Sequence, residues 1–287
     1  MRPTSKKSSS RLTVAIDIME SLSNFNFVLD VINQIDPEQR NRKISNKLAL
    51  LEIEEVLRSG TQWRKMKPNV GSCWSYFRRF SKWRRLNVFK IAWEELLELY
   101  ANKQLDAHPK WFKDIYIDST LIKNVNGTDC VGKNPCDRGR LGTKVSVICD
   151  DNFVPISYSH YGANVADSKT MLESYDAIAC KLKIDDRCTN NLIGDKGYIA
   201  AVEEEILKSV GTNLLTLQLR CRAAKQRPFK ANAALKTQYL SLEQRKKLYK
   251  RHKIENVFCR MDKFRRIFYR TVLPTKDETP TLTMFKV

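Results

Sequence analysis

Residues 143–159 read TKVSVICDDNFVPISYS. Two runs rich in Val, Ile, Phe and Tyr, Thr143–Cys149 and Phe153–Ser159, flank Asp150-Asp151-Asn152. Branched and aromatic side chains suit a pleated surface and Asp and Asn suit tight turns, so the stretch predicts a β-hairpin. Working outward, Ile115-Tyr116-Ile117-Asp118 predicts a short buried strand that ends on its acid. Beyond the hairpin, residues 168–182 predict a helix, 191–195 a strand, 199–209 a helix and 212–217 a strand. Residues 218–247 are basic and irregular, and 248–268 predict one long basic helix. The order β-β-β-α-β-α-β-α is that of a mixed α/β domain whose first three strands meander.

The chain before this domain has helical periodicity. Ile44, Leu48 and Leu51 recur at i, i+4, i+7, and Gly60 is a natural C-terminal stop. Ser72 can cap a second helix that turns Cys73, Tyr76, Phe77, Phe80 and Trp83 inward. Asn87 can cap a third with Phe89, Trp93, Leu97 and Tyr100 inward. Three short helices with tight links suit a helix-turn-helix-like DNA-binding module. The expected organisation is a tail and a poorly assigned segment over 1–40, a helical domain over 41–108, an α/β domain over 109–270 and an irregular tail over 271–287.

Lys and Arg number 51 against 32 Asp and Glu, a net charge of +19 in 287 residues, with a pI near 9.6. A hydrophobic fraction of 42% is enough for a core, so the charge does not belong to a disordered basic chain. There is no run of about 18 apolar residues, so no membrane partner is expected, and no apolar leader with a cleavage site opens the chain. The first twelve residues, MRPTSKKSSSRL, have the composition of a disordered tail. None of the eight cysteines forms a C-x-x-C pair, which argues against structural zinc. Three isolated histidines leave little for imidazole-based acid–base work. A polyanion, most simply nucleic acid, is the expected partner.

Three acids stand out: Asp118 in YIDST, Asp195 in IGDKGY and Glu255 in RHKIENVF. A carboxylate at a strand end faces the crevice where α/β proteins bind ligands. The same residue also serves as an ordinary turn acid, and Glu255 can pair with Arg251 four residues earlier. Spacing alone leaves both readings open.

Five segments, in order, resemble the DDE transposases of bacterial insertion sequences, of the IS-five-like branch of the IS-four superfamily. They are GTQWRKMKPNVGSCWSYFRRFSKW (60–83), IDSTL (117–121), DRGRLGTKVSVICDD (137–151), GDKGY (194–198) and RHKIENVFCRMDKFRRI (251–267). The resemblance implies a ribonuclease H-like catalytic domain with Asp118, Asp195 and Glu255 as catalytic, metal-holding acids. It implies two Mg²⁺ or Mn²⁺ ions, double-stranded DNA at element ends and target as partner, and a homo-oligomer on paired ends. The implied activity is binding of terminal inverted repeats with metal-dependent cleavage and strand transfer. Compartment would follow the host: cytoplasm or nucleoid in a bacterium, nucleus or viral replication site otherwise. Lys196, Tyr198 and Asp167 would support the acids from behind. Arg251 stands four before Glu255, as the family's Y-x-x-R-x-x-x-E-x-x-x-x-x-x-K signature asks. The signature's Tyr and Lys positions hold Leu248 and Asp262, with Tyr249 and Lys263 one residue on. These departures keep two alternatives in view: a transposase-derived protein that binds DNA without cutting it, and a general nuclease on the same fold.

The charge is concentrated. Residues 63–90 hold nine Lys and Arg and no acid, and residues 220–270 hold seventeen against three acids. Arg78, Lys82 and Arg85 share a helix face at i, i+4, i+7, and with Arg79 and Arg84 form a candidate DNA-binding set. Trp63, Trp74, Phe77 and Trp83 read as core rather than as base-stacking platforms. Arg251, Lys253 and Lys263 are the candidates beside the acids. If this charge serves phosphate contacts, DNA affinity should fall about 10³-fold or more between 50 and 200 mM salt in a filter-binding titration. A flat response would exclude that role.

Overall fold

The computed structural model describes residues 24–107, 113–123, 130–182, 190–216 and 241–262. The expected tails, the segment 218–240, the helix end beyond 262 and Lys263 lie outside the described residues. The chain divides into two compact units, which among the described residues comprise 24–96 with 261–262, and 97–260.

The first unit is helical. A helix over residues 24–35 (α1) is followed by α2 (Asn46–Ser59), α3 (Cys73–Arg85) and the first half of α4 (Val88–Ala107). Val28, Val31 and Ile32 of α1 are buried, so the segment that the sequence left unassigned contributes to the core. Gly60 ends α2 at φ 73°, a left-handed conformation that glycine adopts without a Cβ penalty. The inward face of α2 differs from the expected stripe. Ala49, Leu50, Ile53, Val56 and Leu57 are buried, whereas Leu51 is exposed. The true stripe begins on polar Asn46, which is buried because Asn33 and the Asp36 carbonyl accept from its side chain. The link from α2 to α3 is not tight: it spans residues 60–72 and carries a 3₁₀ turn at Trp63–Lys65. Asn87, expected to cap α4, sits at φ 53° and donates its N–H to Arg84, while its carbonyl accepts from Ile91. It therefore joins the two helices in one left-handed residue. Trp63, Tyr76, Phe80, Trp83, Phe89 and Trp93 are buried, but Trp74 is 49% exposed and is not core.

The second unit holds a mixed sheet of six strands among the described residues: β1 (Asp114–Lys123), β2 (Gly132–Lys133), β3 (Leu141–Cys149), β4 (Pro155–Gly162), β5 (Asn190–Gly194) and β6 (Thr212–Thr216). The hairpin is β3–β4. Its turn is held by Asp150, whose carboxylate accepts from the N–H groups of Asn152 and Val154 and from the Tyr100 hydroxyl. β3 pairs antiparallel with β4 and with β1, and β1 pairs parallel with β5, which pairs parallel with β6. Antiparallel strands 4-3-1 followed by parallel strands 5-6 give the ribonuclease H-like order. Helix α5 (Asp167–Leu182) lies on this sheet. Ser157 donates to the Ser174 carbonyl, and Tyr175 shares a 2.5 Å hydroxyl bond with Thr212, so the helix spans from β4 to β6. Helix α6 (Ala201–Ser209) connects β5 to β6. Among the described residues no helix is long and apolar enough to cross a membrane.

Two expectations are corrected. Asp118 does not end β1, which continues to Lys123 because pairing with β3 persists from Asp118–Val147 to Lys123–Gly142. The single helix over 248–268 is instead α7 (Leu242–Lys250), a 3₁₀ turn (Arg251–Lys253) and α8 (Ile254–Asp262) within the described residues. Helix α7 starts earlier than expected because Ser241 and Gln244 form a reciprocal capping box.

One buried acid organises the first unit. Asp36, 5% exposed, accepts from Lys82, Trp83 and Arg42. Burial pushes its carboxyl up, but those three donors together outweigh burial and hold it below the ordinary carboxylate range. A depressed pKa stabilises the fold above the unfolded value, and that contribution is lost as pH falls through the folded one. Asp36→Asn should cost about 3 kcal/mol in urea unfolding at pH 7. The difference between native and variant should shrink below about pH 4, where the unfolded carboxyl protonates. An unchanged midpoint at pH 7 would refute this role.

Candidate active site

The site lies where β1 loses one of its two neighbours. The β1–β5 register runs from Asp114–Asn191 to Tyr116–Ile193. Two residues further along each chain, that register sets Asp118 level with Asp195. Adjacent strands lie about 4.8 Å apart, and β5 has by then passed into a 3₁₀ turn at Lys196–Tyr198. Asp195 caps this turn, accepting from the Gly197 N–H. The two acids thus share one edge of the sheet, at the junction between its antiparallel and parallel halves.

The turn sequence GDKGY has a physical reason at each end. A Cβ on Gly194 would stand 2.9 Å from the Tyr198 ring and 3.1 Å from Ile117. A Cβ on Gly197 would stand 2.9 Å from an Asp195 oxygen and 3.0 Å from an Asp167 oxygen. Tyr198 is fully buried, whereas Lys196 is exposed. Burial, with the charges of Asp167 and Asp118, pushes the Tyr198 hydroxyl up, so it is neutral.

Asp118 is the most constrained acid. Its Oδ1 accepts from the Ser119 N–H at 2.8 Å and its Oδ2 from Arg251 Nη1 at 3.0 Å. Burial pushes its carboxyl up and the charges of Asp195 and Asp167 add to this, against the opposing pull of Ser119 and Arg251. Repulsion among carboxylates is what a bound cation relieves, and their oxygens suit hard Mg²⁺ or Mn²⁺. On donor chemistry Asp118 and Asp195 fit such an ion. Glu255 is not brought to them. Its side chain is 68% exposed on α8, with His252 Nδ1 3.8 Å from its carboxylate. Among the described residues no three His, Cys, Asp or Glu side chains are grouped as ligands of one ion.

The candidate cations divide sharply. Arg251 is turned to Asp118 with 13% of its side chain exposed, and Lys253 is exposed. In the first unit Arg79 donates to the Ile44 and Ser45 carbonyls and Lys82 to Asp36, so both serve the fold. Arg78 and Arg85 are exposed, and Arg84 is half-buried. Sequence reasoning missed a pair of anchors on α7. Lys247 reaches Asp114 at 3.0 Å, and Lys250 reaches Asp151. With Arg251 they bind three acids of β1 and the hairpin turn. It also missed Lys144, which is buried on β3 and donates to Asp167 at 2.7 Å. No spacing rule marks a lysine inside a strand as buried.

The sequence profile described as "Transposase DDE domain" matches residues 113–279. Among solved structures, the catalytic domain of the Mos1 mariner transposase has a TM-score of 0.28 and 11% identity, over 62% of this chain and 94% of that one. The same domain with raltegravir and Mn gives 0.29 and 12%, over 62% and 94%. A piggyBac transposase synaptic complex with hairpin DNA gives 0.41 and 9%, over 93% of this chain and 64% of that one. No curated protein matches the chain.

The packing at Gly194 generates a direct test. Gly194→Ala must displace a fully buried ring or Ile117, and overpacking of this kind costs about 1–3 kcal/mol. The melting temperature should fall accordingly, and an unchanged value would show that the turn has room to spare.

Proposed function

The chain belongs to the DDE transposase domain family, and we propose that it binds the ends of a mobile DNA element and cleaves and rejoins DNA strands with divalent metal. The observation that carries this reading is the shared register of Asp118 and Asp195, which sets two acids from separate motifs at one sheet edge. Asp118 and Asp195 would hold Mg²⁺ or Mn²⁺, with Glu255 as the third acid that the family resemblance implies. When bound, the metal supplies electrostatic stabilisation at the phosphoryl group and activation of the attacking hydroxyl or water. The chain's own residues orient these acids. Gly197 donates to Asp195, and Ser119 and Arg251 donate to Asp118. Outside the site, exposed Arg78 and Arg85 are suited to phosphate contacts, and Lys253 is suited to contacts beside the acids. Double-stranded element ends and target DNA are the proposed partners, with the chain acting as a homo-oligomer on paired ends.

A second reading, DNA binding without cleavage, is favoured by one observation. Arg251 occupies the Asp118 carboxylate while Glu255 stays exposed. The two readings part in a single assay. Duplexes carrying the element's ends are incubated with the purified chain and Mg²⁺ or Mn²⁺. Strand cleavage should appear, and Asp118→Asn and Asp195→Asn should each lower it about 100-fold or more with DNA affinity retained. Native-level cleavage by either variant would remove that acid from the site. Tight binding with no cleavage by the native chain would leave the second reading standing.

A further inference from the structure

We propose that Asp167 is a positioning residue that fixes the separation of Asp118 and Asp195, an inference that rests on the metal-site reading above. Asp167 opens α5, with 31% of its side chain exposed. First-turn acids commonly face their own helix's N–H groups. This one is turned to the sheet. Its Oδ1 accepts from Ser119 Oγ at 2.7 Å and from Lys144 Nζ at 2.7 Å. Lys144 is itself tied to the Val165 carbonyl at 2.6 Å, with 8% of its side chain exposed.

Both partners lead to β1, the strand of Asp118. Ser119 follows Asp118 on β1 and holds both carboxylates, its N–H on Asp118 and its hydroxyl on Asp167. Lys144 stands on β3, opposite Leu121 of β1. On its other side, a Cβ placed on Gly197 would meet Asp167 Oδ2 at 3.0 Å and Asp195 Oδ1 at 2.9 Å, so the two carboxylates flank this glycine, whose N–H is bonded to Asp195. One carboxylate therefore touches β1, β3 and the turn that carries Asp195. A buried lysine–carboxylate pair is weak evidence for stability, and register-setting is its best-attested use. Here a buried lysine and a half-buried carboxylate hold in place the side chains around two acids that repel one another.

The test is Mn²⁺ affinity of the full chain, read from the paramagnetic resonance of free Mn²⁺, with melting temperature measured in parallel. Partners that orient metal ligands are typically worth about 10- to 100-fold in affinity. Asp167→Ala should therefore weaken Mn²⁺ binding about 10-fold or more. Asp167→Asn keeps an acceptor for Ser119 and Lys144 and should restore most of the loss. Gly197→Ala leaves those bonds in place but drives a Cβ between the two carboxylates. It should weaken Mn²⁺ binding without lowering the melting temperature, and so covers the case in which Asp167→Ala fails to fold. Native Mn²⁺ affinity in both Asp167→Ala and Gly197→Ala would overturn the proposal. So would an Asp167→Asn protein as weak as Asp167→Ala, since the charge itself would then be the ligand. Asp118→Asn separates the two levels. If it retains full Mn²⁺ affinity, the metal-site reading fails; if it loses affinity while the Asp167 and Gly197 variants do not, only this inference fails.

Discussion

Strand β1 is hydrogen-bonded to β3 along most of its length but to β5 only as far as Tyr116. The proposed pair of metal-holding acids, Asp118 and Asp195, sits at the point where that second neighbour departs. Up to that point Ile115 and Tyr116 are fully buried between two strands. Beyond it the backbone edge is open, β5 folds into a tight turn, and an acid on each strand faces the gap. A strand paired on both sides cannot slip by one residue without reversing every side chain. The backbone level of Asp118 relative to Asp195 is therefore set by the buried half of the sheet, which leaves their side chains to be held by neighbours in the site.

This arrangement changes what the net charge of +19 means. Among the described residues, three cations near the acids are engaged within the domain. Lys247, Lys250 and Arg251 anchor α7 and the turn after it to Asp114, Asp151 and Asp118. Burial pulls the Lys247 ammonium down, but Asp114 and Glu243 outweigh it and keep the group charged. In the first unit Arg79 and Lys82 are likewise bound to carbonyls and to Asp36. The cations open to a polyanion are thus a subset of those counted from sequence, with Arg78, Arg85 and Lys253 among them.

The order of strands and helices in the α/β domain was legible because its signals are local. An Asp-Asp-Asn turn and short apolar runs each report their own element. Asp118 and Asp195 were singled out by the family resemblance, since their local setting alone left an ordinary turn role open. What escaped depends on long-range partners. Polar Asn46 lies on the buried face of α2 because Asn33 and Asp36 meet it there. Lys144 is buried because Asp167 and the Val165 carbonyl compensate its charge. The full extent of β1 depends on β3, not on its own sequence. The capping box of Ser241 and Gln244 is a local Ser-x-x-Gln signal, but it lies in a basic stretch with no apolar periodicity to mark a helix. Glu255 marks the limit of motif reasoning: Arg251 stands four residues before it as the signature asks, Leu248 and Asp262 depart from that signature, and its side chain is exposed.

The central claim is that Asp118 and Asp195 form one metal site. It is tested most directly by loading the chain with Fe²⁺ in place of Mg²⁺ and generating hydroxyl radicals with ascorbate, which cut the backbone nearest the ion. Paired cuts should appear beside Asp118 on β1 and within residues 194–198, and excess Mg²⁺ should suppress both. Cuts at only one of these positions, or cuts that Mg²⁺ does not compete away, would contradict the account.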